Sequence, residues 1–331
     1  MDVEETENVG RFQKTKKIGE GTFAVVYEGL DTQTNKKVAI KKIKLDARNP
    51  GIDIGAVREL KALRALQHPN IAQLHGVYAR DKNLNLVLEY YESDLERVIK
   101  DGSITFGPAD IKAWLLMILR GVECMHQRGL LHRDLKPSNL LVGSDGIIRL
   151  GDFGLCREGT LPMRPMTSQV VTLWYRAPEL LLGAKYYGGG VDVWAVGCIF
   201  AELMLRTPFL VCEGGELAQL NTIYRALGTP TDWSEMLDLP EYHTPTPGLA
   251  SSLRNVFHAA SEDALDLLQG MLTYNPRKRL TARECLLHPY FTNHPRPTAS
   301  EALYHPQKQG AKRSRSNLPV GVRPRKLDFT E

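Results

Sequence analysis

A glycine-rich turn near the start of the chain has the residue types that can hold a phosphate. Gly19-Glu20-Gly21, followed by Thr22-Phe23-Ala24, lies between two extended segments. Because glycine lacks a Cβ atom, backbone N–H groups at such a turn can approach a phosphate closely. A dinucleotide-binding turn is an alternative. It requires a helix straight after the glycines, whereas here the β-type run Ala24-Val25-Val26 follows.

A lysine at the end of the next strand-like run could contact the same nucleotide. Val38-Ala39-Ile40-Lys41 is a strand tetrapeptide that ends in a cation, and this cation could reach the α and β phosphates. Glu59, on the helix predicted to follow, could hold Lys41 in place as an ion pair. An ordinary strand with one exposed lysine is the alternative interpretation.

The pattern of apolar residues divides the chain into a small β-rich part and a larger helical part. In residues 12–88, β-branched and aromatic runs alternate with turn residues, and one predicted helix, 54–67, interrupts them. After Asp94 the pattern becomes helical. The later predicted helices are 111–127, 191–205, 217–227 and 264–272, and a segment rich in Pro, Gly and Ser, 230–252, is predicted to be an insertion between helices.

The composition is that of an enzyme-sized globular chain. The 331 residues are 43% hydrophobic and 24% charged, with a net charge of +4. This slight basic excess does not imply nucleic-acid binding, so no direct specific nucleic-acid contact is expected. The five cysteines form no CxxC pair, which argues against a disulfide framework and for a reducing compartment. The start of the chain does not resemble a signal peptide, and the longest apolar run, 193–201, is too short to span a bilayer, so no membrane contact is expected.

Three motifs further along the chain together resemble those of a eukaryotic protein kinase. They are His132-Arg133-Asp134-Leu135-Lys136-Pro137-Ser138-Asn139, Asp152-Phe153-Gly154 and Ala177-Pro178-Glu179. The resemblance implies an α+β, bilobal protein kinase fold with a small β-rich N-lobe and a larger helical C-lobe. The predicted divisions are an acidic N-terminal tail, 1–11; the kinase domain, 12–291, with its N-lobe 12–88, hinge 89–94 and C-lobe 95–291; and a Pro-rich, basic and disordered tail, 292–331.

The resemblance implies ATP and Mg²⁺ as cofactors and a role for each polar residue of these motifs. In-line phosphoryl transfer mainly requires positioning and electrostatic stabilisation. Asp134 is expected to orient the substrate hydroxyl or accept its proton, and Lys136 to reach the γ-phosphate. Asn139 and Asp152 are the expected Mg²⁺ ligands, since both supply hard oxygen donors. Lys41, Glu59 and Thr172 complete the predicted catalytic set.

The same resemblance predicts a nucleotide cleft between the lobes. Apolar side chains would sandwich the adenine, and the backbone of Glu89 to Tyr91 would form the hinge that hydrogen-bonds it. For the apolar residues among them, namely Ile18, Val26, Ala39 and Leu141, ordinary core packing is an equally good interpretation. The complete predicted ATP-binding set is Ile18, Gly19, Glu20, Gly21, Thr22, Phe23, Ala24, Val25, Val26, Ala39, Lys41, Glu89, Tyr91 and Leu141.

Among protein kinases, the sequence is similar to the cyclin-dependent kinases. The predicted helix has Arg58 immediately before Glu59, as in the cyclin-binding helix of that family. The run Val170-Val171-Thr172-Leu173-Trp174-Tyr175-Arg176 closes the activation segment as it does there, and residues 230–252 match the family's long insert.

Less specific sequence similarities indicate the CDK-activating kinases of transcription factor TFIIH. Ala24 stands where other members have a third glycine, and the run Arg325-Lys326-Leu327-Asp328-Phe329 is similar to the basic, hydrophobic terminus of that subgroup. The chain departs from the subgroup at Leu173, where arginine is expected, and at Leu88, where phenylalanine is usual. Leu161-Pro162 replaces a second activation-segment phosphosite.

Regulation by phosphorylation is predicted at Thr167. A phosphate there would add about −1.5 to −2 charges. In the family three arginines from different segments converge on this phosphate, and the matching residues are Arg58, Arg133 and Arg157. Each could instead be a solvated surface charge. Thr22, on the glycine-rich turn, is a further candidate for an inhibitory phosphate.

The resemblance also implies partners and substrates. A cyclin of the TFIIH type, an assembly factor and the TFIIH core are the expected partners, and the nucleus is the expected location, with the cytoplasm as a further one. Val170 and Val171 resemble residues that form a pocket for proline, so Ser-Pro and Thr-Pro sites are predicted. They would lie in the RNA polymerase II tail and, with a relaxed proline requirement, at activation threonines of other cyclin-dependent kinases. The alternatives are a cell-cycle cyclin-dependent kinase with other protein substrates and a catalytically silent pseudokinase scaffold.

Overall fold

The structure is a computed structural model that describes residues 8–21, 24–43, 54–80, 83–158, 173–244 and 252–306. Several predicted functional residues lie outside these ranges. They are Thr22, Phe23, Thr167, Val170, Val171, Thr172 and the basic segment 312–326.

The N-terminal lobe is built on a six-stranded antiparallel sheet with the order β1-β2-β3-β4-β6-β5. Side chains alternate between its two faces. Val38 and Ile40 lie on the outer face, where they pack with Phe12 and Val87, so Ala39 and Lys41 lie on the inner face. The strands are β1 (Asn8–Val9), β2 (Phe12–Glu20), β3 (Ala24–Asp31), β4 (Lys36–Ile43), β5 (Leu74–Arg80) and β6 (Asn83–Glu89).

A single helix, α1 (Ile54–Ala65), packs against the inner face of this sheet. Ala56 and Leu63 join Leu86 of β6 in the main core cluster. Glu59 is buried with them, and the spacing of three and four residues between these positions is that of one helix face. The predicted helix over 54–67 is therefore present, although it ends two residues earlier, at Ala65.

The C-terminal lobe is organised around α5, whose side chains are buried almost continuously from Val191 to Leu203. Helices α3 and α8 pack against it. All four helices predicted after residue 94 are present, with ends shifted by at most three residues. Among the residues that the structure describes, no helix is long and apolar enough to cross a bilayer. The helices are α2 (Leu95–Lys100), α3 (Pro108–His126), α4 (Pro178–Leu181), α5 (Gly190–Leu205), α6 (Glu216–Leu227), α7 (Leu253–Val256), α8 (Glu262–Met271) and α9 (Ala282–Leu286).

Two small sheets follow the N-lobe sheet in the chain, and the first of them attaches the hinge to the C-terminal lobe. The first contains β7 (Ser93–Asp94), β9 (Leu140–Val142) and β10 (Ile148–Leu150) in the order β10-β9-β7. The second pairs β8 (Leu130–Leu131) with β11 (Arg157–Glu158). The segment that leaves β6 at Glu89 is therefore attached through β7 to the C-terminal lobe before α2 begins.

The folded domain extends beyond both predicted boundaries, residues 12 and 291. At the N-terminal end, β1 pairs with β2, and Arg11 forms an ion pair with Asp31 at 2.6 Å. At the other end, the prediction of disorder from residue 292 is wrong for residues 292–306. Thr298 N donates to Ala109 O at 3.0 Å, and Leu303 is only 2% exposed. The Pro-rich composition obscured this order, because composition does not show that Leu303 packs into the main core.

Candidate active site

Three charged side chains meet between the N-lobe sheet and the C-terminal lobe. Lys41 Nζ, from β4, lies 2.8 and 2.9 Å from the two carboxylate oxygens of Glu59 on α1. The same nitrogen lies 2.8 Å from Asp152 Oδ1, which precedes the 3-10 turn Phe153–Leu155. The structure thus brings Lys41 and Glu59 together, as the sequence predicted, and adds Asp152 as a second partner.

The surroundings of Lys41 keep both it and Asp152 ionised. Burial alone would lower the pKa of Lys41, but the charges of Glu59 and Asp152 outweigh burial and raise it above the ordinary value. Desolvation likewise opposes ionisation of Asp152, yet the Lys41 ammonium holds the pKa of Asp152 below its usual range. The Asp152 side chain is 51% exposed and that of Glu59 is 3% exposed. Glu59 is therefore a buried anchor for Lys41, and Asp152 remains open to the cleft.

Asp134 lies in the loop between β8 and β9 and is held by two neighbours. Lys136 Nζ donates to Asp134 Oδ2 at 2.9 Å, and Asn139 Nδ2 donates to the same oxygen at 3.1 Å. Asn139 Nδ2 also donates to the backbone oxygen of Asp134 at 2.8 Å. Asp134 Oδ1 accepts no hydrogen bond from any residue that the structure describes. One carboxylate oxygen is thus fixed by the loop, while the other can accept from a hydroxyl.

Asp192, at the start of α5, holds the backbone of this loop. Its carboxylate accepts from His132 N at 2.9 Å and from Arg133 N at 2.8 Å, and it lies 2.9 Å from His126 Nε2. Arg133 has φ of 67°, a left-handed conformation that costs free energy for a residue with a Cβ atom. The two backbone hydrogen bonds offset this cost. Asp192 therefore anchors the backbone of this loop.

A second structural contact in this lobe is the ion pair between Glu179 and Arg279. Two Arg279 nitrogens donate to the Glu179 carboxylate at 2.7 and 2.9 Å, and the arginine side chain is fully buried. Arg279 also donates to the backbone oxygens of Thr273, Gly190 and Tyr274. Because both charges are paired and hydrogen-bonded, the buried pair joins the end of the activation segment to the helical lobe.

The glycine-rich turn connects two strands. Gly19 and Glu20 end β2, where they pair with Val26 and Val25 of β3. Gly21 N donates to Ala24 O at 2.9 Å across the turn. Since a strand follows these glycines, the dinucleotide-binding alternative, which requires a helix there, is wrong.

The apolar residues predicted to contact adenine lie beside this turn and beside Lys41. Val26 pairs with Lys41 and therefore points to the same face of the sheet, and Ala39, two residues from Lys41, shares that face. Ile18 is 40% exposed, and Val26, Ala39 and Leu141 are half-buried. Their partial exposure differs from the nearly complete burial of the residues on the outer face, as expected for side chains that line a cleft.

The predicted hinge runs from Glu89 to Tyr91. Glu89 N donates to Gln73 O at 3.0 Å, and the Tyr91 hydroxyl donates to Glu89 Oε2 at 2.9 Å. On the far side, Leu141 of β9 pairs with Asp94 of β7. The hinge is therefore held by hydrogen bonds from both lobes.

Asn139 and Asp152 fit a magnesium site by the chemistry of their donor atoms. The Asn139 amide nitrogen is occupied by Asp134, which leaves the amide oxygen for a cation. Asp152 contacts Lys41 through Oδ1, and its carboxylate is half exposed. A carboxylate and an amide oxygen are hard donors, which suit Mg²⁺ together with phosphate oxygens and water.

Two of the three predicted phosphate-binding arginines lie on neighbouring segments. Arg133 Nε donates to Leu155 O at 2.7 Å, and Arg133 Nη1 donates to the Tyr187 hydroxyl at 2.8 Å. Arg157 of β11 pairs with Leu131 of β8, two residues before Arg133. Arg58 lies on α1. Their contact with a phosphate on Thr167 stays a prediction, because Thr167 is outside the described residues.

Sequence reasoning missed a buried carboxyl group below the activation segment. Tyr175, in the run that closes that segment, donates its hydroxyl to Glu202 Oε2 of α5 at 2.6 Å. Glu202 is 2% exposed, and its burial raises its pKa to about 7. The sequence did contain one indication of this group: Glu202 directly follows the longest apolar run of the chain, and a carboxylate in such a position must be buried with a partner.

Three comparisons with known proteins agree with this geometry. The family model described as "Protein kinase domain" matches residues 12–291. The serine/threonine-protein kinase KIN28 of Saccharomyces cerevisiae is 52% identical over 298 residues, which cover 88% of this chain and 97% of the relative. Cyclin-dependent kinase 7 of Xenopus laevis is 46% identical over 324 residues, which cover 96% and 92% of the two chains. A solved structure described as the CAK complex from Chaetomium thermophilum bound to ATP-gamma-S contains a chain with 46% identity and a TM-score of 0.81; the match covers 88% of this chain and 94% of that one.

The chain therefore belongs to the protein kinase family. Within that family, its similarity to KIN28, cyclin-dependent kinase 7 and the CAK structure groups it with the CDK-activating type of serine/threonine kinase. The resemblance drawn from the sequence motifs is confirmed, as is the bilobal fold.

Proposed function

We propose that this chain is a cyclin-dependent catalytic subunit that transfers the γ-phosphate of ATP to serine and threonine side chains. The observation that carries the proposal is the pairing of Lys41 with both Glu59 and Asp152, beside a catalytic loop in which Lys136 and Asn139 hold Asp134. Each of these groups is charged or hydrogen-bonded as in-line phosphoryl transfer requires.

Each polar residue has a distinct role in the proposed reaction. Asp134 Oδ1 accepts the hydrogen of the substrate hydroxyl and directs its oxygen, while Lys136, bonded to Oδ2, contacts the γ-phosphate. Lys41 binds the α and β phosphates. Asn139 and Asp152 hold Mg²⁺, which supplies positive charge to the phosphate oxygens when it is bound. Glu59 contributes by fixing Lys41, and Thr172 belongs to the same catalytic set.

The proposed nucleotide site is the cleft between the sheet and the hinge. Ile18, Val26 and Ala39 from the N-lobe and Leu141 from β9 enclose the adenine, and backbone groups from Glu89 to Tyr91 bind its polar edge. The glycine-rich turn covers the phosphates. Support comes from the solved relative, whose description names ATP-gamma-S.

The proposed partners and substrates follow from the relatives and the activation segment. A TFIIH-type cyclin binds the side of the molecule that carries Arg58, and an assembly factor and the TFIIH core complete the complex. Phosphate on Thr167 is bound by Arg58, Arg133 and Arg157. Substrates are Ser-Pro and Thr-Pro sites in the RNA polymerase II tail and activation threonines of other cyclin-dependent kinases, and the chain acts in the nucleus.

The test is phosphate transfer from Mg-ATP to two polymerase-tail peptides that differ only in Ser-Pro against Ser-Ala. The full chain is assayed with and without a TFIIH-type cyclin. We expect cyclin-dependent transfer to the Ser-Pro peptide, and a loss of about 10²–10⁴-fold for Asp134→Asn. Equal transfer to both peptides would remove the proline preference. Equal activity of Asp134→Asn, or no transfer by the cyclin complex phosphorylated on Thr167, would overturn the proposal.

A further inference from the structure

One of the two hinge tyrosines, Tyr91, is held in place by an arginine from the C-terminal lobe. The Arg149 guanidinium of β10 lies over the Tyr91 ring, 5.4 Å from its centroid. An arginine over an aromatic face is attracted by the negative charge of the ring, and more strongly where water is excluded. The Arg149 side chain is only 14% exposed, so this contact is largely shielded from solvent.

Arg149 cannot easily leave this position, because its other side is fixed. Its two terminal nitrogens donate to the two oxygens of Asp145 at 2.9 and 2.6 Å, a bidentate pair. Asp145 is in turn held by the backbone nitrogen of Ile147 at 3.1 Å. The strand register also pairs Arg149 with Leu141, which is proposed to lie under the adenine. Lysine could not reproduce this fork.

Tyr91 connects this arginine to the N-lobe end of the hinge. Its hydroxyl donates to Glu89 Oε2 at 2.9 Å and accepts from Gln73 N at 3.3 Å. Burial and the Glu89 charge raise the pKa of Tyr91, so the hydroxyl keeps its proton and remains a donor. Tyr91 is therefore fixed at its hydroxyl by the N-lobe and at its ring face by Arg149, and its backbone position is set between them.

The segment that follows the kinase domain supports the turn that carries Asp145. His305 Nδ1 lies 2.8 Å from Ser144 O, and its Nε2 lies 3.2 Å from Glu301 O. A Cβ atom on Gly146 would come within 3.0 Å of Ser300 O, so residues 300–305 lie directly against the β9–β10 turn. A continuous set of contacts thus leads from His305 through Asp145 and Arg149 to Tyr91.

We propose that Arg149 is a positioning residue for adenine recognition: it fixes Tyr91, and residues 300–305 support it through the β9–β10 turn. This inference rests on the proposed ATP site, because Arg149 acts through the hinge rather than on the nucleotide itself. It predicts that weakening Arg149 impairs binding of the base but leaves phosphate binding and the chemical step intact.

The test compares Arg149→Met, Arg149→Lys and the wild-type chain in complex with cyclin. For Arg149→Met we expect the KM and Kd for ATP to rise about five- to thirtyfold, with kcat within about twofold. Arg149→Lys keeps the charge but loses the bidentate hydrogen bonds to Asp145, so its KM and Kd for ATP should lie between those of wild type and Arg149→Met. Binding of Mg-tripolyphosphate, which has no base, should not change. Arg277→Met is the matched control, because it removes an exposed ion pair with Glu235 elsewhere in the C-terminal lobe.

The C-terminal segment is tested by a double-mutant cycle. His305→Ala alone should raise the Kd for ATP by up to about threefold, and it should add nothing in the Arg149→Met background, because both changes act through one set of contacts. If the effects of His305→Ala and Arg149→Met on the Kd for ATP were fully additive, the inference that residues 300–305 support Arg149 would be overturned.

Other outcomes separate this inference from the proposed function. An unchanged Kd for ATP in Arg149→Met, or equal weakening of tripolyphosphate, would overturn the role of Arg149. If Arg149→Met does not fold, the binding of ATP and of Mg-tripolyphosphate is measured for Arg149→Lys and Asp145→Asn instead. Failure of the wild-type chain to bind ATP would instead refute the proposed nucleotide site.

Discussion

The buried carboxyl of Glu202 makes the stability of the protein depend on pH in a way that a single substitution should remove. Glu202 lies in α5, 2% exposed, and accepts a hydrogen bond from Tyr175 at 2.6 Å. Its pKa is raised to about 7, first by burial and further by the negative charge of Glu96, while the Tyr175 hydrogen bond and Lys100 act in the opposite direction. Glu202→Gln keeps the size and an acceptor for Tyr175 but cannot ionise.

The size of this pH-dependent change in the free energy of unfolding follows from the difference between the Glu202 pKa in the folded protein and in the unfolded chain. A rise from 4.5 to about 7 means that the folded protein binds this proton more tightly than the unfolded chain does. The corresponding stabilisation is complete below pH 4.5 and is lost as the pH rises through about 7. Since one pKa unit corresponds to about 1.36 kcal/mol, the complete loss is about 3 kcal/mol. Relative to wild type, Glu202→Gln should therefore gain about 2–3 kcal/mol between pH 5 and pH 8.

Urea unfolding of both proteins at several pH values from 5 to 8.5 measures this difference. Contributions from ionisable groups that are the same in both proteins cancel between wild type and Glu202→Gln. Glu96→Gln is the matched control: it removes a neighbouring charge that is 40% exposed and should shift the profile only slightly. A difference between wild type and Glu202→Gln that is constant with pH would refute the reasoning, because it would mean that Glu202 does not gain a proton on folding near neutral pH.

Three further predictions concern the hydrogen bonds of Arg206, the close packing around Gly121 and the ion pair of Glu59. Arg206 donates to the backbone oxygens of Ile104, Ile99 and Asp101, so Arg206→Met should lower the free energy of unfolding by about 3 kcal/mol in urea titrations. A Cβ atom on Gly121 would lie 2.5 Å from Leu150 Cδ1 and 2.7 Å from Asn70 O, so Gly121→Ala should cost about 1–3 kcal/mol in the same assay despite its better helix propensity. Glu59→Gln removes a charge and one of the two Glu59 oxygens that accept from Lys41, so kcat/KM for peptide phosphorylation should fall about 10–100-fold.

Each of these predictions has its own control. Arg277→Met, at an exposed ion pair, should change the free energy of unfolding by less than about 1 kcal/mol, and a similar loss there would contradict the argument for Arg206. Gly102→Ala has open space around it and should be nearly neutral. Glu28→Gln, on the sheet beside Lys37, should leave kcat/KM within about twofold. A comparable fall there would mean that Glu59 acts only through the stability of the N-lobe.

Much of the candidate site could be predicted from the sequence because its residues belong to short motifs. Lys41 ends a strand, and Asp134, Lys136 and Asn139 lie within six residues of one another, so local geometry already places them near each other. The pairing of Lys41 with Glu59 required only that a strand be followed by a helix that packs against it. The helix over 190–205 was equally clear, since a long apolar run with helical residues must be a buried helix.

Contacts between distant segments were not predictable, because no spacing in the sequence indicates them. Tyr175 and Glu202 are 27 positions apart, and Arg149 and Tyr91 are 58 apart. Nothing in either pair's neighbourhood along the chain identifies the partner. The short helix α2 (Leu95–Lys100) was also missed, since six residues are too few to show a periodic pattern.

The type of chemistry, the two-lobed architecture and the candidate residues for phosphate transfer could be inferred from the sequence, because these depend on residue types within local motifs. The tertiary structure was needed to show that Asp152 also contacts Lys41, that residues 292–306 pack on the domain, and that Glu202 and Arg149 are enclosed by partners from other segments. The physical reason is that burial and electrostatic environment arise from the packing of segments that are far apart in the chain, and they cannot be read from any one of those segments.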